Sequence, residues 1–288
     1  MVRLAGVEVD RGPAWPAPAK LNLFLHVTGR RPDGFHELQT VFQFLDYGDE
    51  LRFTPRRDGE LHRLGKVEGV PAGTDLCLRA ARALQQRTGC TQGCDIRIDK
   101  RIPLGGGLGG GSSDAATTLV ALNRLWDLRL DEPALAGIGV GLGADVPVFI
   151  RGTAAWAEGI GEHLTPVSPP EAWYLVVTPP CTVDTREMYN DPYLSRATPR
   201  VHWADFMVGR THNDFEAVAR RRHPEVGQAL DWAARYGRAR LSGSGASVFV
   251  AFDTPDAAER IRTQVPAGWR SFVARGINQS PLKTLAVA

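Results

Sequence analysis

Six glycines and two serines fall within PLGGGLGGGSSDAA, Pro103 to Ala116, directly ahead of an amphipathic helical pattern. Glycines let successive backbone N–H groups turn towards one point, and the unpaired N–H groups of a helix start add the positive end of its dipole. Such a loop is built to hold phosphate. Ser112 and Ser113 can add hydroxyls to a phosphate or its magnesium ion, and Asp114 favours the first helical turn electrostatically. Gly105, Gly107 and Gly110 also satisfy the G-x-G-x-x-G pattern of dinucleotide-binding folds, with Asp131 standing about 20 residues on as a ribose-binding acid. Against that reading, Lys100, Arg101 and Pro103 separate the preceding strand from the glycines, and the paired serines go unexplained. No Lys-Ser or Lys-Thr follows the glycines, which excludes a Walker A loop. A flexible linker does not usually run straight into a capped helix.

The elements that must position this loop are legible from periodicity. Lys20 to Val27 alternates, with Leu21, Leu23, Leu25 and Val27 on one face and Lys20, Asn22, Phe24 and His26 on the other, so a strand with one wet or functional face is expected after a Pro-rich start. Thr40 to Phe53 reads as strand, turn at YGDE, then strand. Thr74 to Thr88, Ser112 to Trp126 and Pro133 to Leu142 have helical spacing, and Asp95 to Ile98 reads as a strand between the first two. Gly137, Gly139 and Gly141 weaken the third helix, which points to close packing there. A hairpin from Arg151 runs into TPVSPP, where the prolines end regular structure and mark a domain boundary. The second half reads as strand Trp173 to Thr178, helices Asn213 to Arg222 and Glu225 to Tyr236, strand Val248 to Phe252, helix Pro255 to Gln264 and strand Ser271 to Ala274. That order predicts α+β architecture in two domains, 1–168 and 169–288.

Composition bounds the function. The chain has 288 residues, room for two cores, and 43% apolar with 23% charged residues, ordinary for a globular protein. A formal net charge of +2 argues against nucleic acid as a partner, and the run Arg220, Arg221, Arg222 reads as a solvated helix face. No apolar run is long enough to span a bilayer, and MVRLAGVEVDRG carries acids where a signal peptide would be apolar, so a cytoplasmic protein is expected. Cys77, Cys90, Cys94 and Cys181 are too few and irregular for a disulfide framework, and His62 and His163 stand too isolated to complete a zinc site.

A phosphate loop without a Walker lysine is the signature of the GHMP kinases, and PLGGGLGGGSSDAA resembles their second motif in the expanded form found in the diphosphocytidyl-methylerythritol kinases. Three other segments agree in order: PAKLNLFLHVTGRRPDGFHELQTVFQFLDYGDEL (Pro18 to Leu51), LGADVPVFIRG (Leu142 to Gly152) and RLSGSGASVFVAF (Arg240 to Phe252), followed by GINQSPL at Gly276 to Leu282. The resemblance covers nearly the whole chain. It implies a two-domain α+β protein with the active site in the cleft between domains, a left-handed βαβ crossover in the first, and ATP with Mg2+ over the glycine loop.

The same resemblance implies residue roles. Asp145 matches the general base and Lys20 its partner, an ammonium that keeps the carboxylate ionised and offsets phosphoryl charge. The loop Pro103, Leu104, Gly105, Gly106, Gly107, Leu108, Gly109, Gly110, Gly111, Ser112 and Ser113 would hold ATP. Asn22, Phe35, His36, Thr185 and Tyr189 would hold substrate, the aromatic residues around cytosine. Phe35 stands where that family usually has Tyr, so the stacking face is kept and the phenolic hydroxyl lost. SGSGAS, Ser242 to Ser247, either supplies backbone donors or is a turn before the next strand. The expected reaction is phosphorylation of the 2-hydroxyl of 4-diphosphocytidyl-2-C-methyl-D-erythritol, by a monomer or homodimer without nucleic acid or membrane partner. The alternatives are another GHMP small-alcohol kinase, or a nucleotide- or RNA-binding module if Arg56, Arg57 and the Arg220 run share one surface. Magnesium ligands stay unassigned.

Overall fold

The computed structural model describes residues 13–65 and 72–287; the amino-terminal segment read for targeting lies outside them. β1 (Trp15–Arg30) and β2 (His36–Arg56) form a long antiparallel pair. β3 (Leu61–Leu64), α1 (Leu76–Thr88) and β4 (Gly93–Asp99) make a βαβ unit, with β4 parallel to β3 and antiparallel to β2. Then come α2 (Gly110–Leu125), α3 (Glu132–Val140), α4 (Val146–Arg151) and the hairpin β5 (Ala155–Gly159) with β6 (His163–Pro166). The second half runs β7 (Trp173–Thr178), α5 (Thr185–Asn190), α6 (Trp203–Met207), α7 (Phe215–Arg222), α8 (Pro224–Ala234), β8 (Arg240–Leu241), β9 (Val248–Phe252), α9 (Pro255–Arg262), β10 (Arg270–Ile277) and α10 (Pro281–Val287). The class is α+β, as expected.

Local chemistry accounts for the element ends. Asp75 caps α1, its carboxylate accepting from Cys77 N at 2.9 Å and Leu78 N at 3.2 Å, and Gly89 closes the helix at φ 70°. Gly139 in α3 packs where a Cβ would meet the Val146 and Ile150 side chains at 2.8 and 2.9 Å, whereas a Cβ at Gly137 would meet nothing within 4 Å. Close packing therefore explains one of these glycines and not the other.

Two strand readings are corrected. β1 has no solvent-exposed face, since its residues from Leu21 to Val27 are buried on both sides, and only the functional part of the expectation holds, at Lys20 and Asn22. A register shift between Asn22 and Leu25 breaks the strict alternation, so Phe24 joins Leu21 and Leu23 in a central core while Leu25 and Val27 enter the core of the second half. The YGDE segment does not reverse the chain either. β2 runs through it, with a register shift against β1 between Pro18 and Lys20, and Gly48 lies where a Cβ would sit 2.4 Å from Ala17 O. Here the Gly-Asp pair marks a close approach of two backbones rather than a turn.

The ten described strands connect as β3-β4-β2-β10-β7-β9-β8, with β1 and β5 also paired to β2 and β6 to β5. β10 is the joint. It pairs with β7 along Arg270 to Arg275 and with β2 at Gly276 and Ile277. After it the chain returns to the first half, where Ser280 N donates to Gly152 O at 3.0 Å and Leu282 enters the core beneath α2. Most of the arginines that an RNA surface would use are engaged with acids. Arg56 pairs with Asp58 and Asp95, Arg220 with Asp231, and Arg221 and Arg222 both clamp the buried Asp191. The Arg220 run is thus a tether between α7 and the segment after α5, which corrects its reading as a merely solvated face. All four cysteines are free, and no described helix is long and apolar enough to cross a membrane.

Beside the second core, His26 is buried between the Phe24 ring, 5.0 Å away, and the His212 ring, 4.5 Å away. Its Nε2 accepts from His212 N at 3.3 Å, while Nδ1 has no partner among the described residues. Burial, then the neighbouring His212, pushes its pKa down to about 4, against a smaller opposing pull from Asp214. The folded chain therefore refuses a proton that the unfolded chain accepts below its ordinary value near 6.5. Stability should be fully present above that value and fall as pH drops from 6.5 towards 4. His26→Gln should flatten that part of the profile in urea unfolding; equal slopes would mean that another group sets it.

Candidate active site

The glycine segment forms a closed cradle. Gly105, Gly107 and Gly109 have φ of 64°, 71° and 72°, the left-handed region that other residues rarely adopt. The loop is stitched to the SGSGAS segment: Ala246 N donates to Gly105 O at 3.1 Å, Ser247 N to Gly106 O at 3.1 Å, and Ser242 Oγ to Gly107 O at 2.9 Å. SGSGAS is thus the second wall of the loop, with Gly243 and Ser244 exposed to the cleft. α2 starts after Gly109 with no side-chain cap, and Ser113 N is bonded back to Gly109 O at 2.8 Å. The amides of Gly110, Gly111 and Ser112 have no intrahelical carbonyl, so the helix end offers three N–H donors and its dipole to an anion.

Lys20 enters the cradle from β1. Its backbone N donates to Leu108 O at 3.0 Å, and its ammonium, in a side chain only 3% exposed, reaches Asp145 Oδ2 at 3.2 Å and Asn22 Oδ1. Asn22 Nδ2 donates to Thr40 Oγ1 at 2.9 Å, and Thr40 in turn donates to Phe24 O at 2.5 Å. Every donor and acceptor in that chain has one consistent direction, which fixes the Asn22 amide with its oxygen on Lys20. Asp145 stands at the N-cap position of α4 but makes no capping bond; its 32%-exposed carboxylate faces Lys20 and the cleft.

A second ion cluster lies under the loop. Lys100 Nζ is held by Asp49 Oδ2 at 2.5 Å and Asp114 Oδ2 at 2.6 Å, and Asp49 Oδ1 also accepts from Arg101 N and Ile102 N at 2.5 and 2.8 Å. Asp114 is therefore no surface acid serving the helix dipole. It is buried, and burial pushes its pKa up to about 7 against the pull of Lys100, with Asp49 adding to the rise. Ser113 is fully buried, its hydroxyl without a partner among the described residues and absent from the cleft wall, whereas Ser112 lines it.

The cleft has a volume of about 410 Å3 and is lined by Lys20, Asn22, Lys100, Asp145, Thr185 and Tyr189, by the loop from Pro103 to Ser112, and by Gly243 and Ser244. Both halves of the chain contribute walls. Thr185 shares a hydrogen bond of 2.9 Å with Ser244. Burial and then the charge of Asp145 raise the pKa of the Tyr189 phenol. His36 stacks on Tyr189 with centroids 5.1 Å apart at 29°, one layer behind the wall. Phe35 sits in the β1–β2 turn, 58% exposed and off the wall. Thr40, Asp49, Lys100 and Arg196 were missed by sequence reasoning. An acid within β2 and a lysine just past the end of β4 were the available signal for Asp49 and Lys100; none pointed to Arg196.

Comparison with known proteins agrees with this geometry. The GHMP kinases N terminal domain matches residues 75–153 and the GHMP kinases C terminal domain residues 202–271. A 4-diphosphocytidyl-2-C-methyl-D-erythritol kinase of Pseudomonas syringae pv. syringae is 55% identical over 267 residues, 93% of this chain and 95% of the relative. One from Shewanella loihica is 54% identical over 274 residues, 95% of this chain and 96% of the relative. The crystal structure of a 4-(cytidine 5'-diphospho)-2C-methyl-D-erythritol kinase superposes with a TM-score of 0.80 at 34% identity, covering 92% of this chain and 99% of that one.

The cradle can be tested at Gly107, where a Cβ would sit 2.1 Å from Ser242 O. Gly107→Ala should lower stability by about 2 kcal/mol or more, combining left-handed strain with the displaced loop, and weaken nucleotide binding at least tenfold. Gly137→Ala, with open space and helical backbone, should instead stabilise by about 0.5–1 kcal/mol. Urea unfolding and nucleotide titration check both; wild-type behaviour at Gly107 would show that the cradle tolerates a side chain there.

Proposed function

The chain belongs to the 4-diphosphocytidyl-2-C-methyl-D-erythritol kinases within the GHMP kinases, and on that premise we propose that it transfers the γ-phosphoryl group of ATP to the 2-hydroxyl of 4-diphosphocytidyl-2-C-methyl-D-erythritol, with Asp145 as base. The observation that carries the site assignment is the Lys20–Asp145 pair, 3.2 Å apart, opening into the same cleft as the uncapped start of α2.

The cradle from Pro103 to Ser112 holds the nucleotide phosphates by its free amides and the helix dipole. Asp145 accepts the proton of the attacking hydroxyl as the new O–P bond forms and ADP leaves. Lys20 keeps that carboxylate ionised and offsets charge on the moving phosphoryl group, and Asn22 with Thr40 holds the ammonium in place. Phosphoryl transfer rests mostly on such positioning and electrostatics. Mg2+ is bound in comparable sites largely through the nucleotide's own phosphates, and the Ser112 hydroxyl at the start of α2 is an oxygen this wall would offer it. Bound there, it would neutralise phosphate charge. Thr185, Tyr189, His36 and the exposed Phe35 ring form the side for the cytidine diphosphate part, with Phe35 stacking from outside the present wall. We take the enzyme as a cytoplasmic monomer or homodimer, its halves dividing at 168/169.

Asp145→Asn should reduce turnover about 10²- to 10⁴-fold while nucleotide affinity changes no more than a few-fold. ADP release measured with 4-diphosphocytidyl-methylerythritol, beside homoserine, mevalonate, galactose and a no-acceptor control, tests both parts. Near-normal turnover in the variant would remove Asp145 as base, and preference for another alcohol would overturn the substrate while leaving the kinase intact.

A further inference from the structure

Behind the base side of the cleft, Arg196 spends its guanidinium on four acceptors. Nη1 donates to Leu194 O at 3.2 Å, Nη2 to Tyr189 O at 2.9 Å and Asp191 O at 2.8 Å, and Nε to His36 Nε2 at 3.1 Å. The arginine is itself held by the segment that Arg221 and Arg222 anchor through Asp191. A guanidinium has donors and no acceptor. The His36 nitrogen that it meets must therefore carry the lone pair, and the remaining proton of the neutral ring must lie on Nδ1. An imidazolium would set N–H against N–H. Burial, and then the charges of Arg196 and Arg30, hold the His36 pKa below its ordinary value in the same sense. Among the described residues no hydrogen bond engages Nδ1, and the ring lies stacked against Tyr189, whose other contacts include the cleft.

We propose that Arg196 is a specificity-determining positioning residue: by donating to Nε2 it fixes His36 as an Nδ1–H donor, and that donor selects cytosine over uracil in the acceptor. The proposal rests on the reading of His36 as a base-recognising residue given above. Cytosine carries a bare lone pair at N3 beside the O2 acceptor, whereas uracil carries N3–H. A fixed donor pairs with the first and faces another donor in the second, leaving a desolvated N–H unpaired. A histidine free to exchange tautomers would accept from uracil N3–H by presenting a bare Nδ1, so discrimination depends on the residue that forbids the exchange. Tyr189 keeps the ring plane, and Arg196 keeps the proton.

The test compares kcat/KM for the cytidine and uridine forms of the diphospho-methylerythritol acceptor in wild type, Arg196→Met and Arg196→Lys, together with 15N NMR of histidine-labelled protein at neutral pH. Wild type should show His36 protonated on Nδ1 and bare at Nε2, with preference for the cytidine form by about 10- to 100-fold. Arg196→Met should show Nε2–H populated and lose most of that preference, chiefly through KM, while kcat with the cytidine acceptor stays within a few-fold. Arg196→Lys, which retains a donor, should recover part of it. An unchanged preference in a folded Arg196→Met protein would overturn the proposal. If that variant does not fold, the wild-type spectrum decides: a proton on Nε2, or an imidazolium, overturns it, and Nδ1–H with bare Nε2 supports it. Nδ1–H in the spectrum with no turnover of either nucleotide acceptor would instead place the failure in the substrate reading.

Discussion

An ammonium taken out of water must be paired and hydrogen-bonded, and the burial of Lys20 organises much of the molecule around that requirement. Its backbone ties β1 to the glycine segment at Leu108, and its side chain engages Asn22 and Asp145. Its stem lies so close to Gly109 that a Cβ there would come within 3.1 Å of Lys20 Cε. Lys20 thus shares with the Phe149 ring the space a side chain at Gly109 would need, and sets the orientation of an amide on its own strand and the direction of the carboxylate at the start of α4. Each of those partners is in turn fixed by a different element, which is why the charge can be held ready with little reorganisation when a phosphoryl group arrives.

The cluster of Asp49, Lys100 and Asp114 solves a different problem beneath the same loop. Two carboxylates share one ammonium out of water, and the raised pKa of Asp114 records its burial first and the nearby Asp49 only after that, against the pull of Lys100. The cluster joins the middle of β2, the residue just past the end of β4 and α2 beyond its first turn. The cradle is consequently fixed from below by charge and from the side by backbone hydrogen bonds to SGSGAS, leaving its amides free on the face that opens to the cleft.

Much of this was legible because its physics is local. Trp173–Thr178 and Val248–Phe252 are strands by composition and length, and the glycine density before a helical pattern announces an anion cradle whatever the fold. What failed to read depends on partners distant in the chain. Gly48 and Asp49 looked like a turn because their partners, Ala17 and Lys100, lie far off in sequence. Asp114 looked like a helix-dipole acid because nothing local shows that it is buried. Arg221 and Arg222 looked solvated until Asp191 was found beneath them. Arg196 sits in a loop of ordinary composition, and only its meeting with His36, 160 positions earlier, gives it meaning.

The return of β10 and α10 to the first half has a bearing on how the protein comes into being. The strand that pairs with β2, and the Leu282 side chain that completes the core beneath α2, are made well after the rest of the first half. At synthesis rates of about 5–20 residues per second, roughly 6–24 s separate the emergence of the first half from the arrival of the segment that finishes it. During that interval the middle of β2 has an unsatisfied edge and the core beneath α2 lacks its final side chain. A growing chain of this kind keeps that strand edge open until the returning segment arrives.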